Sequence, residues 1–374
     1  MAITEKKTAQ GPAGLSGRLS DQRREAISGW LMASPGTILL IAFLIVPFFL
    51  SFYFSFTNQR LISPNPTKYV GLENFKQLLT VKVLRIDPIV DEAGQPLLDE
   101  DGNYTYPQER EFTRNPDYPQ YRGLQKWMSW EVGQTRWTLL ASDVVFMKSL
   151  INTFYFALII VPGQAGLGLL LALLINQRTP GVNIYRTIYF IPVVVSIVVV
   201  SILFGFIYDG RNGLLNSTLG FMTGGRFKPI DWLANPSTSM PAIMFMSAWQ
   251  AVGIHMVLWL AGLQNIPVTL YEAADIDGAN AWQKFVFVTW PGLRNTAVFI
   301  LVTITIAALG LFTQIDVMTQ GGPLDSTQTI IFQAVRRGFK MQDIAYGSTI
   351  SVVFFLLVLS VSFVQRFLTK EKSA

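Results

Sequence analysis

The sequence contains no cysteine and a single histidine. The absence of cysteine excludes disulfides, thiolate zinc sites and a cysteine nucleophile. One histidine leaves no catalytic triad and no zinc cluster. No stretch reads Gly-x-x-x-x-Gly-Lys followed by Ser or Thr, so the usual loop that holds ATP phosphates is missing as well. The sequence therefore predicts neither an enzyme nor a metal site.

Charged residues are also scarce. They make up 14% of the 374 residues, whereas hydrophobic residues make up 51%. A chain of this kind is too apolar for a soluble domain and is typical of a multi-pass membrane protein. The net charge of +5 comes mostly from the ends and loops, where anionic lipid headgroups are a sufficient counterpart. Nucleic acid is not an expected partner, since no basic stripe is interleaved with aromatic residues.

Six apolar runs contain no Asp, Glu, Lys or Arg. They cover residues 35–56, 149–175, 187–208, 240–263, 295–315 and 346–365. Each has about 20 residues or more, which suffices for a helix to cross a hydrocarbon core of about 30 Å. Because the backbone in lipid must satisfy its own hydrogen bonds, these runs predict helices, and the chain an all-α membrane protein with six transmembrane helices. Pro162 and Pro192 are expected to kink the second and third runs.

The polar segments between the runs give the predicted domain organisation. We expect a cytoplasmic N-terminal tail that precedes a first transmembrane helix, an extracytoplasmic loop with a small inserted domain, a five-helix core and a cytoplasmic C-terminal tail. In that order, these segments are residues 1–30, 31–56, 57–148, 149–367 and 368–374. The first apolar run is not expected to be a removable signal peptide, since no small-residue cleavage site follows it.

The orientation follows from the even number of runs and from the basic residues. An even number places both termini on the same side. Basic residues are moderately enriched in the tails and short loops of that side, which the positive-inside rule assigns to the cytoplasm. These residues include Arg178, Arg186, Lys284, Arg294, Arg366, Lys370 and Lys372.

The inserted segment, about residues 80–142, has two features of a small folded domain. An Asp-Gly turn signal at residues 101–102, followed by Tyr104-Thr105-Tyr106, predicts a β-hairpin. Aromatic residues and prolines between residues 107 and 137 indicate a folded cap rather than a linker. The acidic group at residues 99–101 lacks the spacing of an EF-hand loop, so we expect no metal there.

A polar island, residues 271–291, separates the fourth and fifth apolar runs. Pro267 suits the first turn of a helix, and Gly278 tolerates the left-handed conformation that ends one. A second helix is expected to begin near Asn280, a good N-cap, and to end before Pro291. The pattern predicts a helix–turn–helix at a membrane face.

The exposed part of this island is acidic, through Glu272, Asp275 and Asp277. A hairpin that lies on lipid headgroups usually has a basic polar face. Three acidic residues with Lys284 nearby therefore favour docking of a soluble partner over adsorption to lipid.

Glu272-Ala273-Ala274, then Asp277-Gly278-Ala279, then Val288-x-Trp290-Pro291 resembles the EAA loop of binding-protein-dependent ABC importer permeases. Trp290 stands where that family usually has Leu. The resemblance implies that the loop 264–294 holds a coupling helix seated in a cleft of an ATPase subunit. The ATPase-coupling positions that it implies are Glu272, Ala273, Ala274, Asp277, Gly278 and Pro291.

Two further phrases resemble sugar permeases of this family. One is formed by residues 70–75 and 143–153, which the insert separates. The other is Thr319-Gln320-Gly321-Gly322-Pro323, followed by Ser326-Thr327, Gly338-Phe339 and Gly347. The resemblance implies a permease subunit that moves a sugar or a related polyhydroxylated solute across the cytoplasmic membrane. It also implies a second, homologous permease subunit, two ATP-binding cassette subunits that bind ATP and Mg²⁺, and an extracytoplasmic solute-binding protein.

Polar residues inside the apolar runs are the candidates for contact with substrate. Such groups are unfavourable in lipid and are expected to face a cavity. An aromatic platform beside amide side chains suits the apolar faces and hydroxyls of a sugar. The candidates are Trp249, Gln250, His255, Thr313, Gln314, Asn152 and Gln164. The alternative for each is a hydrogen bond that joins helices, which we favour for Asn152 and Gln164.

Other functions remain open at this point. An ABC permease for glycerol phosphate is expected to have basic residues in its cavity, and the apolar runs contain none. An ion-coupled secondary transporter or channel is expected to have intramembrane Asp, Glu or Arg. A membrane scaffold without transport is disfavoured by the polar residues in the fourth and fifth runs.

Overall fold

The computed structural model describes residues 15–177 and 181–369. Arg178, Lys370 and Lys372, which enter the prediction of orientation, lie outside the described residues, as do positions 1–14 of the predicted N-terminal tail. The chain divides into two units, residues 1–53 and 54–374.

The first unit contains a long helix. Helix α1 spans Leu15–Leu40 and passes through a π-helical turn, Ile41–Ile45, into α2, Val46–Ser55, which runs into the second unit. The described part from Glu25 to Ser55 is long and apolar enough to cross a membrane. The helix begins well before residue 31, because the polar residues after Leu15 continue the same hydrogen-bonded ladder.

The second unit holds the remaining membrane helices. Val144–Ile175, Ser239–Gln264, Arg294–Met318 and Ile344–Phe367 also pass the length and composition test for a span. A fifth candidate in this unit is a pair of helices, Val182–Val194 and Ile197–Ile207, bent by 96° at their junction. Within the described residues the whole chain thus has five such helices, or six when the bent pair counts as one. These are the six apolar runs that the sequence identifies.

The elements of the second unit follow in chain order, with short helices and strands between the long helices. They are α3 (Glu73–Leu79), β1 (Val81–Ile86), α4 (Glu109–Thr113), β2 (Gln125–Val132), β3 (Thr135–Ala141), α5 (Val144–Ile175), α6 (Val182–Val194), α7 (Ile197–Ile207), α8 (Leu214–Met222), α9 (Ser239–Gln264), α10 (Val268–Ile276), α11 (Ala281–Lys284), α12 (Trp290–Gly292), α13 (Arg294–Leu309), α14 (Thr313–Met318), α15 (Ile330–Val335) and α16 (Ile344–Thr369). A 3₁₀ turn, Pro119–Tyr121, and π-helical turns at Phe285–Thr289 and Arg336–Lys340 complete them.

The insert is built on a three-stranded antiparallel sheet with the order β1-β3-β2. One face buries Leu84, Ile86 and Leu140 against Tyr106 and Leu124. The hairpin predicted around residues 101–102 is present as a short turn, with backbone hydrogen bonds from Asp99 to Asn103 and from Thr105 to Leu97 around an isolated bridge between Leu98 and Tyr104. The backbone N–H groups of Asp101 and Asn103 donate to the Asp99 carboxylate. The role of this carboxylate is therefore to stabilise the turn.

The main core lies between α5, α9 and α13, whose buried apolar side chains form one cluster. Close packing of α5 on α9 depends on Gly168, since a Cβ there would lie 2.9 Å from the Cβ of His255. Helix α6 approaches α9 closely at Gly253, where a Cβ would lie 2.2 Å from the carbonyl oxygen of Tyr189. A second buried cluster joins α3, the end of β3 and the start of α5 to α15 and α16.

Two of the spans are broken. The third apolar run breaks at Val195 and Ser196, three residues after Pro192, so the predicted kink becomes a complete interruption. Pro162, by contrast, lies inside the unbroken helix α5. In the fifth run α13 ends at Leu309 and α14 begins at Thr313. Backbone groups freed at such breaks are tolerated at membrane depth where they are buried in protein or line an aqueous cavity.

Candidate functional site

The polar island between the fourth and fifth spans forms a compact hairpin, residues 264–294, here called the EAA loop. Helix α10 follows Pro267, its N-cap residue. Gly278 adopts φ 73°, and the N–H of Ala279 donates to the carbonyl of Ala274 at 2.9 Å, which closes the helix end. The turn after Ile276 therefore has the geometry that the sequence predicts.

The hairpin has two limbs: the first is α10, and the second runs from Asn280 to Gly292. The second limb begins as predicted but ends differently. Asn280 caps α11, and its side chain and that of Gln283 exchange hydrogen bonds with each other's backbone N–H. The expectation that this helix ends before Pro291 is wrong, because the chain stays helical through Gly292. The reason is the π-helical turn Phe285–Thr289, which widens the ladder by one residue. Pro291 then falls in the first turn of α12, where it needs no N–H.

The outer surface of the EAA loop combines acidic and large apolar side chains. Ile276 is 87% exposed, Trp282 71% and Phe287 74%. Glu272 and Asp277 are also exposed, and within the described part of the chain neither carboxylate has a salt bridge. Apolar side chains of this size gain most when a partner covers them. The sequence reasoning used the acids and missed these anchors, although Trp282 stands beside polar residues at the start of the second helix.

The root of the EAA loop is tightly packed against the spans. Leu293 is fully buried. A Cβ on Gly262 would lie 2.7 Å from Thr296 Oγ1, and a Cβ on Gly292 would lie 2.9 Å from Ile266. The exposed tip is thus mounted on a close-packed base, an arrangement suited to passing a displacement into α9 and α13.

Trp249 and Gln250 lie beside the break in the third span. Trp249 is 43% exposed, and its ring packs on that of Phe204 of α7 with the ring centroids 5.3 Å apart. The Gln250 amide Nε2 lies 3.5 Å from the carbonyl oxygen of Val195, a residue of the break. The structure therefore brings the predicted aromatic–amide pair to irregular backbone near the middle of the bent span.

Thr313 and Gln314 lie at the second break. Both are half-buried at the first turn of α14. Helix α14 packs against α7, and Met318 of α14 joins the cluster that contains Val200 and Phe204. The short helices that follow the two breaks are therefore neighbours, with Trp249 on the same cluster.

His255, Gln164 and Asn152 occupy different positions. His255 is 6% exposed, and its Nε2 lies 3.2 Å from Gln164 Oε1. The Gln164 amide donates to the carbonyl of Ser247 at 3.0 Å, so the pair joins α5 to α9. This geometry favours the helix-joining alternative for His255 over contact with substrate.

Asn152 joins α5 to the loop that contains Gly-Gly-Pro. Its amide donates to the carbonyls of Asp325 and Gln328 at 2.9 and 3.0 Å. The same loop contains the cis peptide bond between Gly322 and Pro323. Both amide hydrogens of Asn152 are therefore engaged with this loop, which favours the role in joining segments of the chain.

Sequence reasoning included Asp143 in a family phrase but did not predict its role as a buried carboxylate at the junction of the insert and α5. It caps α5 through the N–H of Phe146 at 2.8 Å and accepts a hydrogen bond from the hydroxyl of Tyr346 at 2.8 Å. Gln333 and Arg337 also lie within 3.4 Å of its oxygens. A polar residue immediately before a long apolar run signals an N-cap, but the partners lie about two hundred positions away and only the fold identifies them.

An apolar cavity of about 350 Å³ lies beside Phe204, the residue on which Trp249 packs. Its walls include Phe204, Tyr208, Trp232 and Phe245. No predicted substrate residue lines it among the residues described, and its surface offers few hydrogen-bonding groups. A sugar needs such groups, so the cavity is a poor candidate for the substrate path.

The spanning helices and the tightly packed hairpin between the fourth and fifth of them define a multi-pass membrane protein of the permease class. A family model described as "Binding-protein-dependent transport system inner membrane component" matches residues 164–373. The chain belongs to this family, and it is an inner-membrane component of a transport system rather than an enzyme.

Curated relatives agree with this assignment. The chain is 35% identical over 237 residues to the lactose transport system permease protein LacF of Rhizobium radiobacter, covering 62% of this chain and 79% of that protein. It is 28% identical over 339 residues to the probable ABC transporter permease protein YesP of Bacillus subtilis, covering 90% and 88%. The second alignment is long enough to include most of the insert.

A solved structure shares the fold. A chain from the crystal structure of a bacterial ABC transporter involved in the import of the acidic polysaccharide alginate superposes with a TM-score of 0.69 at 18% identity. The match covers 96% of this chain and 100% of that chain. The long helices and their connections therefore share the fold of that transporter chain.

Proposed function

We propose that the chain is the permease subunit of an importer for a sugar or a related polyhydroxylated solute. The relatives support this substrate class through their names, which include permeases for lactose and for trehalose or maltose. Three features of the chain also support it: the exposed Trp249, the amide of Gln250 and the irregular backbone beside them. Aromatic faces and amides together suit the apolar faces and hydroxyls of a pyranose.

The observation that carries the proposal is the shape of the EAA loop. Its apolar tip is exposed, its helix end is closed at Gly278, and its root is packed without space for a Cβ at Gly262 or Gly292. The tip fits a cleft on an ATPase subunit in the cytosol. ATP and Mg²⁺ bind to that subunit, and a second permease subunit and a solute-binding protein complete the importer. Both termini then lie in the cytoplasm.

Transport requires the spanning helices to alternate between an inward-open and an outward-open packing. Closure of the ATPase subunits moves the EAA loop, and α9 and α13 tilt with it because their ends are locked to its root. A loaded binding protein favours the same state from the other side of the membrane, so ATP and binding protein raise each other's affinity. The two broken spans supply the polar path, with Trp249, Gln250, Thr313 and Gln314 as its walls.

The coupling role is tested by copurification and uptake. Glu272→Ala removes the carboxylate, and Gly278→Leu adds a bulky side chain at a positive φ and at the exposed turn. Both variants should abolish uptake and loosen the ATPase subunit, while the permease remains in the membrane. Trp249→Leu should instead retain the ATPase and lose uptake. Retained ATPase and normal uptake in the Glu272 and Gly278 variants would contradict the proposal.

The substrate class is tested on the solute-binding protein encoded with the importer. Its affinity for a panel of neutral and acidic mono- and oligosaccharides identifies the sugar, which is then used in uptake assays. Binding of amino acids or phosphate esters in place of any saccharide would refute the assignment of a sugar.

A further inference from the structure

A hydrogen bond between side chains joins the two limbs of the EAA loop. The hydroxyls of Tyr271 on the first limb and Thr289 on the second lie 2.9 Å apart. Thr289 is 5% exposed, so this hydrogen bond is shielded from water on one side. Nearer the tip, Lys284 and Asp275 form an ion pair with an exposed carboxylate, and such pairs contribute little. The hydroxyl pair is therefore the stronger link.

Tyr271 also connects the first limb to the membrane bundle. Its ring and the side chain of Val288 pack against the main core cluster of α5, α9 and α13. The other side chains along α10 are largely exposed. The phenol thus contacts the bundle with its ring and the opposite limb with its hydroxyl.

Thr289 has a second role on its own limb. It is the last residue of the π-helical turn, and its Oγ1 lies 3.4 Å from the carbonyl oxygen of Lys284, which precedes that turn. A π-helical turn is a rare, single-turn widening of an α-helix that occurs mostly at functional sites. A hydroxyl that bonds to both the turn and the opposite limb holds the wide spacing in place.

We propose that Tyr271 and Thr289 form a brace that makes the EAA loop move as one body with the bundle. The inference rests on the proposed function, since it assumes that an ATPase subunit moves the tip. Without the brace, part of each displacement is absorbed by hinge motion between the limbs and by relaxation of the π-helical turn. ATP is then hydrolysed without a complete change in the spans. Tyr271 and Thr289 are positioning residues, because neither needs to touch the ATPase or the sugar.

The experiment uses the complete importer in proteoliposomes, with its binding protein and the sugar found by the binding assay. The measured quantity is the number of ATP molecules hydrolysed per sugar imported. Tyr271→Phe and Thr289→Val each remove the hydrogen bond and keep the side-chain volume. A net hydrogen bond shifts a two-state equilibrium by roughly two- to tenfold, and the ratio should rise by that factor.

Two further variants separate the brace from general damage. The double variant Tyr271→Phe with Thr289→Val should raise the ratio no more than Thr289→Val alone, because the bond between the limbs is already lost when either hydroxyl is removed. Thr289→Ser keeps the hydroxyl and should restore a ratio near that of the wild type. Tyr185→Phe and Thr303→Val are matched controls on exposed parts of α6 and α13 and should leave the ratio unchanged.

The outcomes are distinct. ATPase subunits that copurify, together with a raised ratio that Thr289→Ser reverses, support the brace. An unchanged ratio, or uptake and hydrolysis that fall by the same factor, overturns it and leaves the proposed function intact. If the wild-type chain binds no ATPase subunit, the proposed function fails first, and the copurification control reports that separately.

Discussion

Gly253 is the position where a single added carbon should most disturb the spans. A Cβ there would lie 2.2 Å from the carbonyl oxygen of Tyr189 and 3.0 Å from its carbonyl carbon. The obstruction is backbone, so no change of rotamer relieves it. Gly253→Ala therefore forces α6 away from α9 next to the break in the third span.

The magnitude follows from the required displacement. Heavy atoms essentially never approach a Cβ closer than 3.0 Å, so α6 has to retreat by about 0.8 Å, the difference between 3.0 and 2.2 Å. Overpacking of this kind destabilises a protein by about 1–3 kcal/mol. We expect the upper end of that range, because a whole helix moves and Gln250 then loses its contact with Val195.

The assay compares Gly253→Ala with Gly163→Ala on α5. A Cβ on Gly163 meets no atom within 4 Å in the chain, and alanine favours the helix there. Thermal unfolding of the purified permease in detergent, followed by tryptophan fluorescence, should give a lower midpoint for Gly253→Ala only. Equal midpoints for the two variants would show that α6 and α9 do not pack at this distance, and the account of the broken span would have to be abandoned.

Three further predictions concern other contacts. Asp143→Leu removes the acceptor for Tyr346 and leaves Arg337 without its carboxylate, so we expect a loss of about 3 kcal/mol in unfolding free energy. The exposed Asp117→Leu should have little effect, and equal thermal-unfolding midpoints for the two variants would contradict this. Asn152→Leu frees two loop carbonyls and should speed proteolysis of residues 319–329, with α5 itself still protected; unchanged cleavage would argue against the hydrogen bonds. Gly278→Asn should retain more uptake than Gly278→Ala, because Asn tolerates positive φ better, and the reverse order would refute the role of the left-handed turn.

Much of the EAA loop could be predicted because its rules are local. Proline at the start of a helix, glycine at a left-handed turn and asparagine before a helix act within a few residues. Gly278 and Asn280 take the positions that the sequence predicts, and Pro267 lies at the N-cap, one residue before the predicted first turn. The end of the second limb could not be predicted in this way. Avoidance of a helix before Pro291 is also a local rule, but the π-helical turn that overrides it is held by Thr289 and its distant partner Tyr271.

Residues with the same chemistry proved to have different surroundings. From sequence, His255 and Gln250 are both polar residues in one apolar run. In the fold His255 faces Gln164 across a helix interface, whereas Gln250 faces the break in a neighbouring span. The difference depends on the rotation of α9 and on its neighbours, which helical periodicity alone does not specify.

The sequence by itself determined that this protein spans a membrane and to which class it belongs. Hydrophobic runs free of charge are typical of spans in lipid, and the EAA phrase between the fourth and fifth runs resembles that of the transport family to which the chain belongs. The tertiary structure decided which of these elements touch. It broke two spans and set their second halves side by side, and it joined the two limbs of the EAA loop through a pair of hydroxyls. Contacts between positions far apart in the chain depend on packing in three dimensions, and no local pattern of residues encodes them.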